Sequence, residues 1–99
     1  MAKFFLTNKA VEDLSKIWDY TYEVWSENQA DKYYIMLMDT CEQISECPDM
    51  GKNYNEIGQG ILGLKEGNHI IFYRIIMPGE IVVLRILHSR MDLKNRLQE

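Results

Sequence analysis

The sequence has few of the features that mark a specialised class of protein. Its two cysteines, Cys41 and Cys47, form no Cys-x-x-Cys pair, which argues against a zinc knuckle or a redox dithiol. No apolar stretch approaches the roughly 20 residues of a membrane helix, and the short apolar run near the start is too brief for the core of a signal peptide. We therefore expect a cytoplasmic protein that does not contact membranes.

Other functional signatures are also missing. The two histidines, His69 and His88, lie far apart without ligand spacing, so we predict no metal site. The chain has no glycine-rich phosphate loop and no nucleophile elbow, and we predict neither a cofactor nor a catalytic residue. With 46% hydrophobic and 26% charged residues, the composition is that of a globular protein. At 99 residues, we predict a single domain spanning residues 1–99.

Arginine is absent from residues 1–73, which carry six lysines against twelve acidic residues. All four arginines follow, from Arg74 to Arg96. Arginine suits bidentate contacts with carboxylates and phosphates, so an anionic partner is expected at the C-terminal end. The overall net charge of −4 weighs against direct nucleic-acid binding, because that affinity comes from neutralising many phosphates.

Periodicity and capping signals predict two helices after a short strand at Lys3–Leu6. Thr7 is a suitable N-cap, and residues 8–25 carry apolar side chains at helical spacings of three and four. Ser26-Glu27-Asn28-Gln29 matches a capping box, which predicts a second helix ending before Pro48. The short junction predicts an antiparallel helical hairpin.

The rest of the chain predicts an antiparallel meander. A loop from Pro48 to Gly60 precedes three strand-like runs, Ile61–Glu66, His69–Met77 and Glu80–His88, separated by the turn dipeptides Gly67-Asn68 and Pro78-Gly79. The order is β-α-α-β-β-β. We predict an α+β fold in which an antiparallel sheet is backed on one face by the helical hairpin.

The register of the last hairpin predicts what each face of the sheet carries. With a two-residue turn at Pro78-Gly79, one face would lie under the helices and consist of Ile71, Tyr73, Ile75, Val82, Leu84 and Ile86. The opposite face would consist of Phe72, Arg74, Ile76, Ile81, Val83 and Arg85. This second face is either a docking surface, since exposed apolar area marks interaction sites, or an apolar face shielded by the Pro48–Gly60 loop.

Several motifs resemble the ParE toxins of the RelE/ParE superfamily of type II toxin–antitoxin systems. They are Leu6-Thr7-x-x-Ala10-x-x-Asp13-Leu14-x-x-Ile17-Trp18-x-Tyr20, then Trp25, His69-x-Ile71-Phe72-Tyr73-Arg74 and Arg85-Ile86-Leu87-His88-x-Arg90-Met91-Asp92. The resemblance covers nearly the whole chain in the right order. Its most specific part is the last motif.

The resemblance implies a toxin that inhibits DNA gyrase by protein–protein binding and is neutralised by a ParD-like antitoxin in a hetero-oligomer. The antitoxin would cover the second sheet face and contact its six residues. Antitoxin tails of this kind are often acidic, which suits the arginines of that face. Candidate contacts with the target are Trp25, His88, Arg90, Met91 and Asp92.

Two alternative functions stay open. A RelE-like ribosome-dependent mRNA endonuclease would use Arg74 and Arg85 to hold phosphate and His88 for proton transfer. Against it, the chain is acidic, and residues 89–99 contain no aromatic side chain to stack on a base. The third possibility is an inactive toxin that only binds its antitoxin.

Overall fold

The computed structural model describes residues 2–90 and Leu97, and it confirms the predicted α+β fold. The elements are β1 (Lys3–Leu6), α1 (Asn8–Val24), α2 (Glu27–Glu46), a 3₁₀ turn (Pro48–Met50), β2 (Lys52–Asn53), β3 (Leu62–Glu66), β4 (His69–Met77) and β5 (Glu80–His88). The predicted bounds of the last two strands agree with those observed. The 3₁₀ turn and β2 lie within the segment that was predicted as loop.

Both helices begin at the predicted caps. The Thr7 hydroxyl accepts a hydrogen bond from the backbone N–H of Ala10, and the Ser26 hydroxyl accepts one from the N–H of Gln29. Each bond satisfies one of the N–H groups that a helix leaves without an internal partner. The two caps therefore fix the entry into each helix and the tight junction between them.

The five strands form one mixed sheet in the order β1-β5-β4-β3-β2. The three C-terminal strands pair antiparallel as predicted, but β1 pairs with β5 in parallel, with Phe4 opposite Ile81. The expectation of a purely antiparallel sheet was therefore wrong at this edge. Residues 3–6 and 80–83 are far apart in the chain, and local pattern does not specify their pairing.

The predicted register of the β4–β5 hairpin holds from the His69–His88 pair to the Phe72–Arg85 pair, and again at Met77–Glu80. Between these two stretches it shifts by one, so that Tyr73 lies opposite Val83. Pro78 is the first residue of the two-residue turn, and proline cannot adopt a positive φ. The hairpin turns that best match the twist of the strands, types I′ and II′, require a positive φ at this position. The turn instead has positive φ at Gly79 (82°), and irregularities in the pairing accommodate it.

The shift moves two predicted surface residues to the other face. Ile81 and Val83 pack with Tyr73 in the core beneath the helices, because one added residue reverses the side-chain alternation of a strand. This main core lies between the sheet and the two helices. Its fully buried members from the helices are Ala10, Leu37, Cys41 and Ile44.

A second core lies on the opposite face of the sheet, under the chain segment 54–61. Phe72 is fully buried there with Ile70, Leu87 and Ile61. The Tyr54 ring meets the Phe72 ring edge-on at 5.2 Å, and the backbone N–H of Tyr54 donates to the carbonyl of Ile61. The shielding interpretation of this face is thus correct for the part around Phe72.

The position of Phe72 can be tested by its effect on stability. We expect Phe72→Ala to lower the free energy of unfolding by about 3–5 kcal/mol, as for a large side chain removed from a core. Ile76→Ala, on the same strand but half-exposed, is the matched control and should cost about 1 kcal/mol or less. Urea denaturation of both variants measures the difference, and equal losses would contradict the second core.

Candidate functional site

The predicted docking face is not one continuous surface. Phe72, Ile81 and Val83 are fully buried, the first under residues 54–61 and the other two under the helices. Their side chains are not available to a partner in this structure. The prediction that all six residues share one exposed face was wrong for two reasons. Ile81 and Val83 turn inward because of the register shift, and Phe72 stays on the predicted face but is covered by residues 54–61.

Arg85 is held by α1 through a nearly buried ion pair. Its Nε lies 2.8 Å from Oδ2 of Asp13, and its Nη2 lies 3.0 Å from Oδ1. The same carboxylate also accepts the backbone N–H of Ile86 at 3.0 Å. The two side chains are 11% and 8% exposed. Asp13 is therefore part of the interior, although it is a charged residue.

Two of the six predicted contacts remain exposed near the β4–β5 turn. Arg74 and Ile76 are exposed on β4, and Phe5 on the edge strand β1 is 47% exposed. We call these three residues the open sheet end. The Arg74 guanidinium approaches the Gly58–Gly60 segment, so it lies beside a different element from the guanidinium of Arg85.

An open groove of about 430 Å³ lies between the two helices and β1. Trp18 and Asp31 join its two helical walls, because the indole Nε1 donates to Oδ1 of Asp31 at 3.0 Å. Trp18 is half-buried in the wall of this groove. We call this site the helix groove; its lining residues are Leu6, Val11, Leu14, Ser15, Trp18, Asp19, Asp31 and Tyr34.

The helix groove combines apolar walls with acidic groups. Val11 and Tyr34 are 48% and 40% exposed within it, so a substantial part of its apolar lining faces solvent. Asp19 and Asp31 are exposed and belong to the same lining. Exposed apolar area with polar groups at its margin is typical of a binding site. Sequence periodicity missed this site because it does not specify how α1, α2 and β1 meet.

The predicted target contacts lie at separate places in the fold. Trp25 is 73% exposed at the end of α1. His88 ends β5, and its Nδ1 accepts the backbone N–H of Arg90, whose side chain is exposed. Met91 and Asp92 lie outside the described residues. The assignment of these residues to a target stays a prediction.

His69, at the start of β4, is tied to α2 through Tyr33. The Tyr33 hydroxyl lies 2.6 Å from Nδ1 of His69, and the ring of His88 meets the His69 ring at 5.4 Å. Burial, followed by the proximity of His88, lowers the pKa of His69 to about 4. His69 is therefore neutral at physiological pH.

Comparison with known proteins decides the family. Residues 4–93 match the family described as the ParE toxin of type II toxin–antitoxin systems, parDE. The chain belongs to the ParE toxin family. It is similar to Toxin ParE1 of Mycobacterium tuberculosis (strain H37Rv), with 35% identity covering 97% of this chain and 98% of that protein. Toxin ParE1 of Caulobacter vibrioides is 34% identical, covering 98% and 99% of the two chains.

Solved structures of toxin–antitoxin complexes share the ParE fold seen here. A chain of the chromosomal ParDE system from P. aeruginosa superimposes with a TM-score of 0.73 at 21% identity, covering 89% of this chain and 96% of that one. A chain of the RelBE2 complex from Mycobacterium tuberculosis gives 0.67 at 20% identity, covering 89% and 98%. The likeness to these structures confirms the fold, and membership of the ParE family makes the protein a toxin of a type II toxin–antitoxin system.

Among residues 2–90 and Leu97, no group of three or more histidine, cysteine or acidic side chains is arranged to hold a metal ion. Over the same residues, neither helix is long and apolar enough to cross a bilayer.

The ion pair between Asp13 and Arg85 gives a direct stability prediction. We expect Asp13→Asn to lower the free energy of unfolding by about 3–5 kcal/mol, because it leaves a nearly buried guanidinium without its counter-charge. Asp19→Asn removes the same charge from an exposed position of the same helix and should change stability by about 0.5 kcal/mol or less. Chemical denaturation at neutral pH compares the two, and similar losses would contradict a stabilising role for the pair.

Proposed function

We propose that this ParE-family toxin inhibits DNA gyrase in the cytoplasm by binding it, and that a ParD-like antitoxin neutralises the toxin. Membership of the ParE family supports the target, and the likeness to chains of toxin–antitoxin complexes supports the partner. The observation that carries the antitoxin proposal is the helix groove, an exposed apolar cleft in a chain with a well-filled core.

The helix groove suits an amphipathic segment of the antitoxin. Its volume is in the range of about 300–1,000 Å³ found for binding clefts, and a cleft bordered by two helices is a suitable seat for the apolar face of a third. The acidic groups of Asp19 and Asp31 favour basic residues beside the apolar anchors of that segment. This differs from the acidic tail expected from the sequence, which remains suited to the open sheet end.

The edge strand β1 connects the helix groove with the open sheet end. Leu6 lines the groove, while its neighbour Phe5 is exposed on the strand. β1 is the outermost strand of the sheet beside β5, and an edge strand can pair with an added extended segment. In this proposal, the antitoxin follows β1 from the groove to Arg74 and Ile76, the two predicted contacts that are exposed.

Binding explains the described residues better than mRNA cleavage does. The nuclease alternative needs a cluster of basic groups with a residue that transfers a proton. Arg85 is engaged by Asp13, and Arg74 lies beside the Gly58–Gly60 segment, so the two arginines form no common cluster around His88, whose Nδ1 accepts the backbone N–H of Arg90. We therefore propose that the toxin acts without catalysis.

Antitoxin binding tests the assignment of the helix groove. We expect Val11→Glu to weaken binding of the antitoxin encoded by the neighbouring gene at least tenfold, because it puts a charge among apolar walls and beside two acidic groups. Val24→Glu is the matched control: this valine is on the same helix and equally exposed, but outside the groove lining. Isothermal titration calorimetry measures both affinities.

Circular dichroism should show that both valine variants keep the native fold. Equal affinities for the two variants would refute the groove as the antitoxin site. Arg74→Glu tests the open sheet end in the same assay, with a several-fold loss expected if an acidic part of the antitoxin reaches it. An unchanged affinity for this variant would restrict the interface to the groove and β1.

The target is tested with purified gyrase. We expect the toxin to inhibit DNA supercoiling and Trp25→Ala to weaken that inhibition several-fold, because large exposed aromatic residues are frequent binding anchors. Tyr20→Ala is the matched control, since Tyr20 is 67% exposed on the same helix. Codon-specific cleavage of mRNA on translating ribosomes, with supercoiling unaffected, would favour the nuclease instead. Growth unaffected by expression of the toxin alone would indicate an inactive toxin.

A further inference from the structure

A small polar cavity lies on the other side of α1 from the helix groove. Its volume is about 100 Å³, and it is formed where α1 approaches the start of β4 and the end of β5. Its polar lining consists of Asp13, Lys16, His69, Arg85 and His88. The cavity shares α1 with the helix groove and β4 with the open sheet end, but it has no lining residue in common with either site.

The acidic member of the cavity is already neutralised. The Asp13 carboxylate accepts two hydrogen bonds from Arg85 and one from the backbone of Ile86. The positive charge of Arg85 balances the negative charge of Asp13. The ammonium group of Lys16 therefore gives the polar lining a net positive charge. Lys16 is exposed, and its flexible side chain can reach a ligand at the mouth of the cavity.

The hydrogen bonds of the two histidines make both rings donors. The Nδ1 of His88 accepts the N–H of Arg90, so the proton of the neutral ring is on Nε2. The Tyr33 hydroxyl accepts the N–H of Asn68 and lies 2.6 Å from Nδ1 of His69, but 3.5 Å from the nearest alternative acceptor, the carbonyl of Glu66. The Tyr33 hydroxyl is therefore assigned as the donor in a hydrogen bond that Nδ1 of His69 accepts, so the proton of the His69 ring is again on Nε2.

From this arrangement we propose that the cavity between α1 and the His69–His88 pair binds a phosphate group. Lys16 supplies the charge, and the two imidazole N–H groups supply hydrogen bonds. The cavity of about 100 Å³ has room for a single tetrahedral oxyanion. The proposal is independent of the antitoxin and of gyrase.

The expected source is a free phosphate or the terminal phosphate of a small molecule. The chain as a whole is acidic, with a net charge of −4, and an acidic protein gains little from the many backbone phosphates of a nucleic acid. A single small anion needs only the local positive charge at Lys16. A phosphodiester of a nucleic acid could supply the same phosphate group, and a second titration with an oligonucleotide tests it.

The two histidines are the only ones in the chain, so their ring signals report on the cavity without ambiguity. We expect titration with inorganic phosphate, at constant ionic strength and pH, to shift the ring ¹⁵N and ¹H resonances of His69 and His88 with a saturable curve. Lys16→Gln should weaken that binding at least fivefold. Lys9→Gln removes the same charge from an exposed position of the same helix, outside the cavity, and should leave it unchanged.

Shifts that do not saturate, or that weaken equally in the two lysine variants, would overturn the proposal. The second arm repeats the titration with a short oligonucleotide that has no terminal phosphate, and we expect it not to shift the two rings. Saturable, Lys16-dependent shifts with this oligonucleotide alone would support the phosphate site with a phosphodiester as its source. No response to either ligand would refute the site.

Discussion

The carboxylate of Asp13 holds the architecture of this ParE-family toxin together. β1 pairs with β5 only as far as Val83, and beyond that point the edge of β5 has no strand partner from β1. There, Asp13 accepts the N–H of Ile86 and holds Arg85, while the Thr7 hydroxyl donates to the carbonyl of Leu84. Side chains at the start of α1 thus continue the sheet edge, and α1 is fixed across the sheet.

This position of α1 creates the two sites on its flanks. One flank faces α2 and β1 and forms the helix groove; the other faces the His69–His88 pair and forms the polar cavity. The register shift between Val83 and Arg85, in the middle of β5, is part of the same arrangement, because it turns Val83 inward while Arg85 reaches Asp13. A single irregularity in strand pairing therefore serves both the core and the ion pair.

Features with a local physical cause were predictable from the sequence. Thr7 and Ser26 cap their helices because their hydroxyls reach nearby N–H groups, and the turn dipeptides Gly67-Asn68 and Pro78-Gly79 delimit β4 and β5. The parallel pairing of β1 with β5 and the Asp13–Arg85 ion pair join residues about 70 or more positions apart in the chain. The shifted register depends on the twist of the hairpin. Periodicity contains no information on such contacts, and for this reason the predicted docking face was only partly correct.

The candidate sites also divide into features with a local cause in the sequence and features that depend on contacts between distant residues. The exposure of Trp25 was predictable from its place at the junction of two helices, whereas the helix groove arises from how α1, α2 and β1 meet and could not be read from any one of them. Family membership could be identified from motifs spread along the chain. The residues that a partner would contact required the three-dimensional arrangement.

Phe72 and Tyr73 are consecutive residues of β4 whose side chains fill opposite cores. The Tyr73 hydroxyl also bonds to the carbonyl of Pro48 and the N–H of Gly51, which joins the central strand to the segment leading to the second core. The two helices cover one face of β4, and residues 54–61 cover the other. Removing either layer would expose the strand against which the other layer packs. Partial opening would therefore present β4 to a cellular protease, and the lifetime of the toxin in the cell would depend on both layers remaining closed.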